Sequence, residues 1–433
     1  MFLSDKLMRR AAERRPVGVC LIGAGKFGAM FLAQVPTIPG LVVRSIADLR
    51  PDAARATCRN VGWSAGRIEA VEIGDDVEAA IAAPGVEVVV EATGHPRAGV
   101  AHARMAFAKG RHVVMVNVEA DALVGPALAR EAEAAGVAVS MAYGDQPALI
   151  AEMVDWARCS GFGVVAAGKG TKHQPHYHAS TPETVWGHYG LTPEEARKAG
   201  MNPKMFNSFL DGTKSAIEMA ALANACDLDC PEDGLGFPPC GEADLARALR
   251  PARTGPAPGR RGRVEVVSSL DADGQPVPRD LRWGVFVVVE ALSNYASACF
   301  AQYGVPTDPS GRFAALWRPF HMIGLELAPS ILSCALDGRP TGTARAWRGD
   351  VAAIAKRDLA AGETLDGEGG FTVWGKLATA QRSAREGLCP IGLAQDVTLV
   401  RPVAAGQPVR LADIALDPAD PLLAMRAGMT PAS

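Results

Sequence analysis

Gly23, Gly25 and Gly28 follow the apolar run VGVCLI and open the segment FGAMFLAQ, the setting in which a glycine-rich turn grips a pyrophosphate. Gly23 permits the tight turn, Gly25 lets backbone approach the phosphates, and Gly28 allows close packing of helix on strand. Lys26 and Phe27 form the helix start between them, where unpaired N–H groups favour an anion. Asp48 closes the second apolar run, twenty residues after Gly28, where a carboxylate accepts hydrogen bonds from ribose hydroxyls and repels a 2′-phosphate. This favours NAD over NADP. Arg50, two residues on, is either a partner for that 2′-phosphate or a solvated cation. Thr93 and Gly94 after VEVVVEA, and Asn117 and Glu119 after HVVM, are expected at strand ends beside the nicotinamide. Glu119 alternatively serves as a carboxylate favoured by a helix N-terminus.

A second constellation follows: Lys169, Lys172, Asn207, Asp211, Lys214 and Glu218. Asp211, Lys214 and Glu218 have the spacing of one face of a helix running from about Ser208 to Ala225. Lys214 then suits the polarisation of a substrate carbonyl or alkoxide, with Asp211 orienting it. The alternative is a solvated charge pattern, against which the surrounding MFNSFLDGTKSAIEM places phenylalanines and methionines. Lys169-Gly-Thr-Lys172 reads as a cationic loop for a carboxylate or phosphate, or as an exposed turn. Asp145, Lys172, Asn207, Glu218 and His321 complete the expected substrate contacts, with His321 at the start of an apolar helix and open to a core role. His173, His176 and His178 fit neither one helical face nor a recognised metal pattern, and the spacing of Cys226, Cys230 and Cys240 matches no zinc site.

These residues need a scaffold. From Val17 to about Ile150, short apolar runs alternate with Ala-rich helical stretches; VGVCLIG, VVRSIAD, VEVVVEATG, HVVMVN and VAVSMAY read as strands. The fold class is α/β: a Rossmann doubly wound parallel sheet over residues 1–150, then an α+β substrate domain over 151–345. In the latter, the Pro/Gly/Arg-rich stretch from Pro251 reads as a loop. VEVVSSL, a turn at Asp271 to Gly274, and WGVFVVVEAL suggest an antiparallel sheet. Residues 346–433 form a small β-rich domain containing a weak repeat, DLAAGETL from Asp358 and PVAAGQPV from Pro402. This module is expected to act as a lid or an oligomer contact.

Composition agrees with an enzyme of this kind. A chain of 433 residues exceeds the roughly 250 to 300 at which one core stops growing. With 48% hydrophobic residues, 21% charged residues and a net charge of −3, the chain has no electrostatic attraction to nucleic acid. No run approaches the roughly 18 uncharged apolar residues of a membrane span. The N-terminus lacks an apolar signal core, and nine scattered cysteines suit a reducing compartment, so a cytoplasmic homo-oligomer acting on a small molecule is expected.

The segments GAGKFG, VVMVNVEADALVG, AYGDQPALI, AGKGTK, MFNSFLDGTKSAIEMA and DGLGFPPCG together resemble the homoserine-dehydrogenase-like oxidoreductases with a C-terminal SAF domain, a group that includes deoxyxylulose-phosphate reductoisomerase-like enzymes. The repeat at 346–417 resembles the SAF β-clip fold. The resemblance implies NAD(P)-dependent hydride transfer on a small polyhydroxylated, in some relatives phosphorylated, substrate, with isomerisation in the reductoisomerase-like members. It also implies an Asp and a Lys near a helix start, to which Asp211 and Lys214 correspond, spaced three apart where homoserine dehydrogenases have four. Glu119 stands where those enzymes carry a lysine, which argues against homoserine itself. Reductoisomerases hold a divalent metal through an Asp-Ser-Glu motif. Here only Asp145 is at hand, so whether a metal is needed stays open. The other readings are a simple sugar-acid or homoserine-like dehydrogenase, and a nucleotide-sensing protein without turnover.

Overall fold

The computed structural model describes residues 3–251 and 261–432. The loop read from Pro251 therefore lies, at 252–260, outside the described residues. The chain divides into two compact units, one of residues 1–152 and 321–345, the other of residues 153–320 and 346–433.

The first unit is built on strands β1 (Val17–Ile22), β2 (Leu41–Ala47), β3 (Glu72–Gly74), β4 (Val88–Glu91), β5 (His112–Met115) and β6 (Val139–Met141). They form one sheet in the order β3-β2-β1-β4-β5-β6, every pairing parallel. This is the doubly wound order that reverses at β1 and β4, and it puts the ends of these two strands at the crevice where such sheets bind ligands. All of β1 is buried, as an apolar run covered on both faces must be. The short edge strand β3 escapes the sequence pattern because three residues carry no periodicity. The unit is completed from far along the chain: the helix Ala328–Asp337 brings Leu327, Ile331 and Cys334 into the core with Val88, Val90 and Val114. His321 lies seven residues ahead of that helix instead of starting it.

The second unit contains β7 (Gly163–Thr171), β8 (Arg263–Ser268), β9 (Val285–Glu290) and β10 (Phe313–Arg318), in the order β10-β9-β7-β8. The expected antiparallel pairing of β8 with β9 is not formed. The Asp271 to Gly274 turn exists, with Gly274 N–H on the Asp271 carbonyl at 3.0 Å, yet β7 lies between the strands, parallel to β8 and antiparallel to β9. Glycine makes this possible: a Cβ on Gly168 would overlap the Glu265 carbonyl, and one on Gly170 the Leu281 carbonyl. The segment Lys169-Gly-Thr is consequently the end of a central strand and not a loop.

Beyond these lie β11 (Gly349–Ala355), β12 (Thr364–Asp366), β13 (Val373–Thr379) and β14 (Gln395–Thr398), paired β11 with β13 and β12 with β14, both antiparallel. The sequence repeat becomes a local two-fold. Leu359 and Val403 exchange N–H···O bonds at 2.9 Å in both directions, while Gly362 N–H meets the Leu399 carbonyl and Gly406 N–H the Ala355 carbonyl, both at 2.8 Å. Both glycines have positive φ, +90° and +76°, which the Ala-Ala-Gly turns require. Among the described residues, no helix is long and apolar enough to cross a membrane.

Candidate functional site

In the first unit the glycine turn joins β1 to the helix Lys26–Gln34. Gly23 has φ +93°, and a Cβ there would sit 2.8 Å from the Ala92 carbonyl oxygen. A Cβ on Gly28 would sit 2.6 Å from the Gly23 carbonyl oxygen, so the helix Lys26–Gln34 packs as close as it does only because residue 28 is glycine. A Cβ on Gly25 would meet nothing within 4 Å. The space beside Gly25 is thus open, and the helix that follows has no side-chain cap on its N–H groups. Lys26 is exposed and Phe27 half-buried at that start.

Asp48 stands just past β2. Its Oδ2 accepts the Ala24 N–H and its Oδ1 the Arg50 N–H, both at 2.9 Å. The carboxylate therefore ties the glycine turn to the end of β2. Arg50 is exposed. At the end of β4, Thr93 donates its hydroxyl to Glu91 Oε1 at 2.6 Å, and Gly94 adopts φ +69°. Asn117 caps the helix Val118–Ala134, accepting the Ala120 N–H at 3.2 Å and donating to the His95 carbonyl at 2.9 Å; Glu119 is the second residue of that helix and half-buried. All eleven expected cofactor residues thus lie in one unit at the carboxyl ends of β1, β2, β4 and β5.

Two carboxyl groups here were missed by sequence reasoning. Glu91 is fully buried; Oε1 also meets His102 Nδ1 at 3.1 Å, and Oε2 has no partner among the described residues. It is the charged residue that ends an otherwise apolar strand, which is the signal that would have found it. Asp121 is half-buried as a residue, but its Oδ2 is sealed from solvent without a hydrogen bond among the described residues, and burial pushes its carboxyl up to about 7. Its pKa is higher folded than unfolded, so its contribution to stability is full below about pH 4 and is lost as pH rises through 7. Asp121→Asn should accordingly raise the melting temperature at about pH 8 and change it little at about pH 4. An equal shift at both pH values would show that the carboxyl does not titrate in this way.

Asp145 and His321 also belong to this unit. Asp145 Oδ1 accepts the Gln146 N–H at 2.8 Å, and the Gln146 amide meets His321 Nδ1 at 3.5 Å.

In the second unit Lys169, at the end of β7, forms an ion pair with Glu218, and both are buried. Lys172 donates to the His188 carbonyl and lies 5.6 Å from the centre of the Tyr189 ring; burial, aided by Arg282, lowers its pKa. Asn207 is fully buried, donating to the Ser180 and Gly369 carbonyls at 3.0 Å each and accepting from the Ser180 hydroxyl at 2.6 Å. These bonds make it a strut between segments.

The single helix expected from Ser208 to Ala225 is two. One helix, Pro203–Asp211, ends where Gly212 turns left-handed at φ +92°, and the next, Thr213–Cys226, begins at once. Asp211, Lys214 and Glu218 therefore share no continuous helix face. Asp211 is fully buried, its Oδ1 accepting the Thr213 N–H at 2.9 Å and its Oδ2 the ammonium of Lys356 at 2.8 Å. The cation on Asp211 is Lys356, not Lys214. Burial raises the Asp211 pKa, opposed by Lys356 and by the hydrogen bonds to Thr213. Lys356 Nζ also donates to the Ser180 carbonyl at 2.7 Å and the Gly370 carbonyl at 2.8 Å, so all three of its protons are placed. No local pattern could have paired residues 145 positions apart. Lys214 is half-buried one residue into its helix.

His173 and His178 are linked by stacking, His173 on Phe237 and His178 on Trp374, each at 3.9 Å between ring centres. Burial lowers the pKa of both, that of His173 to about 3. Among the described residues, no three His, Cys, Asp or Glu side chains converge as a metal site.

Residues 144–327 match a family model described as oxidoreductase DRL, catalytic domain. No curated protein matches the chain. Among solved structures, it is similar to myo-inositol dehydrogenase from Lactobacillus casei in complex with NAD(H) and myo-inositol, at 13% identity over 40% of this chain and 50% of that one, with a TM-score of 0.30. It is similar to biliverdin reductase from Synechocystis sp. PCC 6803, at 19% identity over 37% of this chain and 48% of that one, with a TM-score of 0.28. The chain spans about half the length of these two proteins. A hyperthermophilic archaeal homoserine dehydrogenase in complex with NADPH is similar at 15% identity over 74% of this chain and 98% of that one, with a TM-score of 0.45.

Proposed function

We propose that the protein is an NAD(P)-dependent oxidoreductase that moves a hydride between the nicotinamide and a small polyhydroxylated substrate, with NAD preferred. The observation that carries this reading is the glycine turn: an open cradle at Gly25, an uncapped helix start, and Asp48 fixed at the end of β2. A dinucleotide fits these donors, since its pyrophosphate needs N–H groups and close backbone approach. The match of residues 144–327 to an oxidoreductase catalytic domain supports the reaction class.

When bound, the nicotinamide supplies the hydride acceptor or donor. The chain's own residues have to hold the substrate oxygen and its charge. Lys169 is the group we assign to that oxygen: its ammonium is buried, where a fixed cation stabilises an alkoxide far better than in water, and the ion pair with Glu218 orients it. Lys214 is the alternative cation.

Calorimetric titration with NAD and NADP, followed by nicotinamide absorbance over a polyol, sugar-acid and sugar-phosphate panel, tests the proposal. Gly25→Val should fold normally, because the new side chain meets open space, and should weaken dinucleotide binding by at least about tenfold. Unchanged affinity in the folded variant would place the cofactor elsewhere, and failure of the whole panel with bound cofactor would favour a nucleotide-sensing protein.

A further inference from the structure

Antiparallel register places Ala352 opposite Lys376 and Ile354 opposite Trp374 on β11 and β13. Alternation gives this ribbon two faces. On one, a Cβ at Gly349 would touch Ala220 and one at Gly375 would touch Thr213, so this face is covered by the helix carrying Lys214 and Glu218. The opposite face, with Ile354, Trp374 and Lys376, lines a pocket of about 340 Å³. That volume is within the range of small-molecule sites.

The lining has a definite chemistry. Ala352, Ile354, Leu388 and Pro408 make an apolar wall, and Trp374 closes one side, stacked on His178 with the rings 15° from parallel. No Asp or Glu is among the lining residues. Three cations are: the Lys356 ammonium already donates all three protons, and Arg382 is shared with Glu386 at 3.3 Å. Lys376, a half-buried lining residue, is different, because among the described residues it has neither a hydrogen bond nor a carboxylate within ion-pair distance. An unpaired ammonium beside an apolar wall is satisfied best by an anion whose remaining surface is apolar.

We propose that this pocket is a second ligand site, for a small monocarboxylate with a flat apolar body, its carboxylate on Lys376 and its flat face along the Trp374 side. The site is separate from the Lys169–Glu218 pair, lying on the other face of the ribbon from the Glu218 helix, and does not depend on the proposed hydride transfer.

Titrating the full chain calorimetrically with benzoate, phenylacetate and cyclohexanecarboxylate tests this, with benzamide as the neutral isostere and inorganic phosphate as the anion without an apolar body. At least one carboxylate should bind saturably, with benzamide and phosphate at least about tenfold weaker. Lys376→Met should weaken the carboxylate by about tenfold or more while the melting temperature and dinucleotide affinity stay as in the parent protein. Should Lys376→Met fold poorly, Lys376→Gln removes the same charge. Absence of saturable binding, equal affinity for benzamide or phosphate, or undiminished carboxylate binding in the folded Lys376 variants overturns the proposal.

Discussion

Asp211→Ala is expected to destabilise the protein by about 3–5 kcal/mol, the usual consequence of leaving one member of a buried ion pair without the other. Lys356 and Asp211 are at most 3% exposed at their side chains, so water cannot take over the ammonium's third bond. The variant also frees the Thr213 N–H that Asp211 caps. Urea unfolding followed by circular dichroism reads the effect as a lower midpoint. Asp211→Asn combined with Lys356→Met removes both charges together and should recover much of the loss. A cost below about 1 kcal/mol for Asp211→Ala would mean that the pair is solvated and that Asp211 is available for a chemical role.

Lys169→Met is expected to lower kcat by about 10² to 10³ while leaving dinucleotide affinity unchanged, since it removes a cation from the developing alkoxide and leaves the glycine turn and Asp48 as they are. The substitution strands Glu218, so the double variant Lys169→Met with Glu218→Gln is the one that keeps the fold while showing the same loss of turnover. Lys214→Met is the control. Turnover retained in the Lys169 variants but abolished in Lys214→Met would return the catalytic cation to residue 214, where the sequence first placed it. A rise in KM alone for Lys169→Met would make that residue a binding group only.

The glycine turn was legible in the sequence because each of its residues is fixed by its immediate neighbours. A glycine at positive φ, a helix start and a carboxylate ending a strand are local features, so Gly23, Gly25, Gly28 and Asp48 stand where the spacing alone put them. The chemistry of the other unit was read less well, for three physical reasons. Gly212 turns left-handed and breaks a segment whose apolar spacing is continuous, which separates Asp211 from Lys214. Gly168, and Gly170 within the segment Lys169–Lys172 that reads as a loop, are what allow neighbouring backbones to crowd β7.

The third reason is distance along the chain. Lys356 reaches Asp211 from a module that the sequence treats as a separate β-rich appendage, and the helix Ala328–Asp337 completes the nucleotide-fold core from within the segment read as the substrate domain. By itself the sequence determined the α/β class, the parallel sheet and the glycine turn after its first strand, all of which follow from periodicity and glycine within a few dozen residues. Tertiary structure alone decided which cation faces which carboxylate, because a buried charge takes whichever partner the packing of distant segments brings within reach, and no spacing rule encodes that.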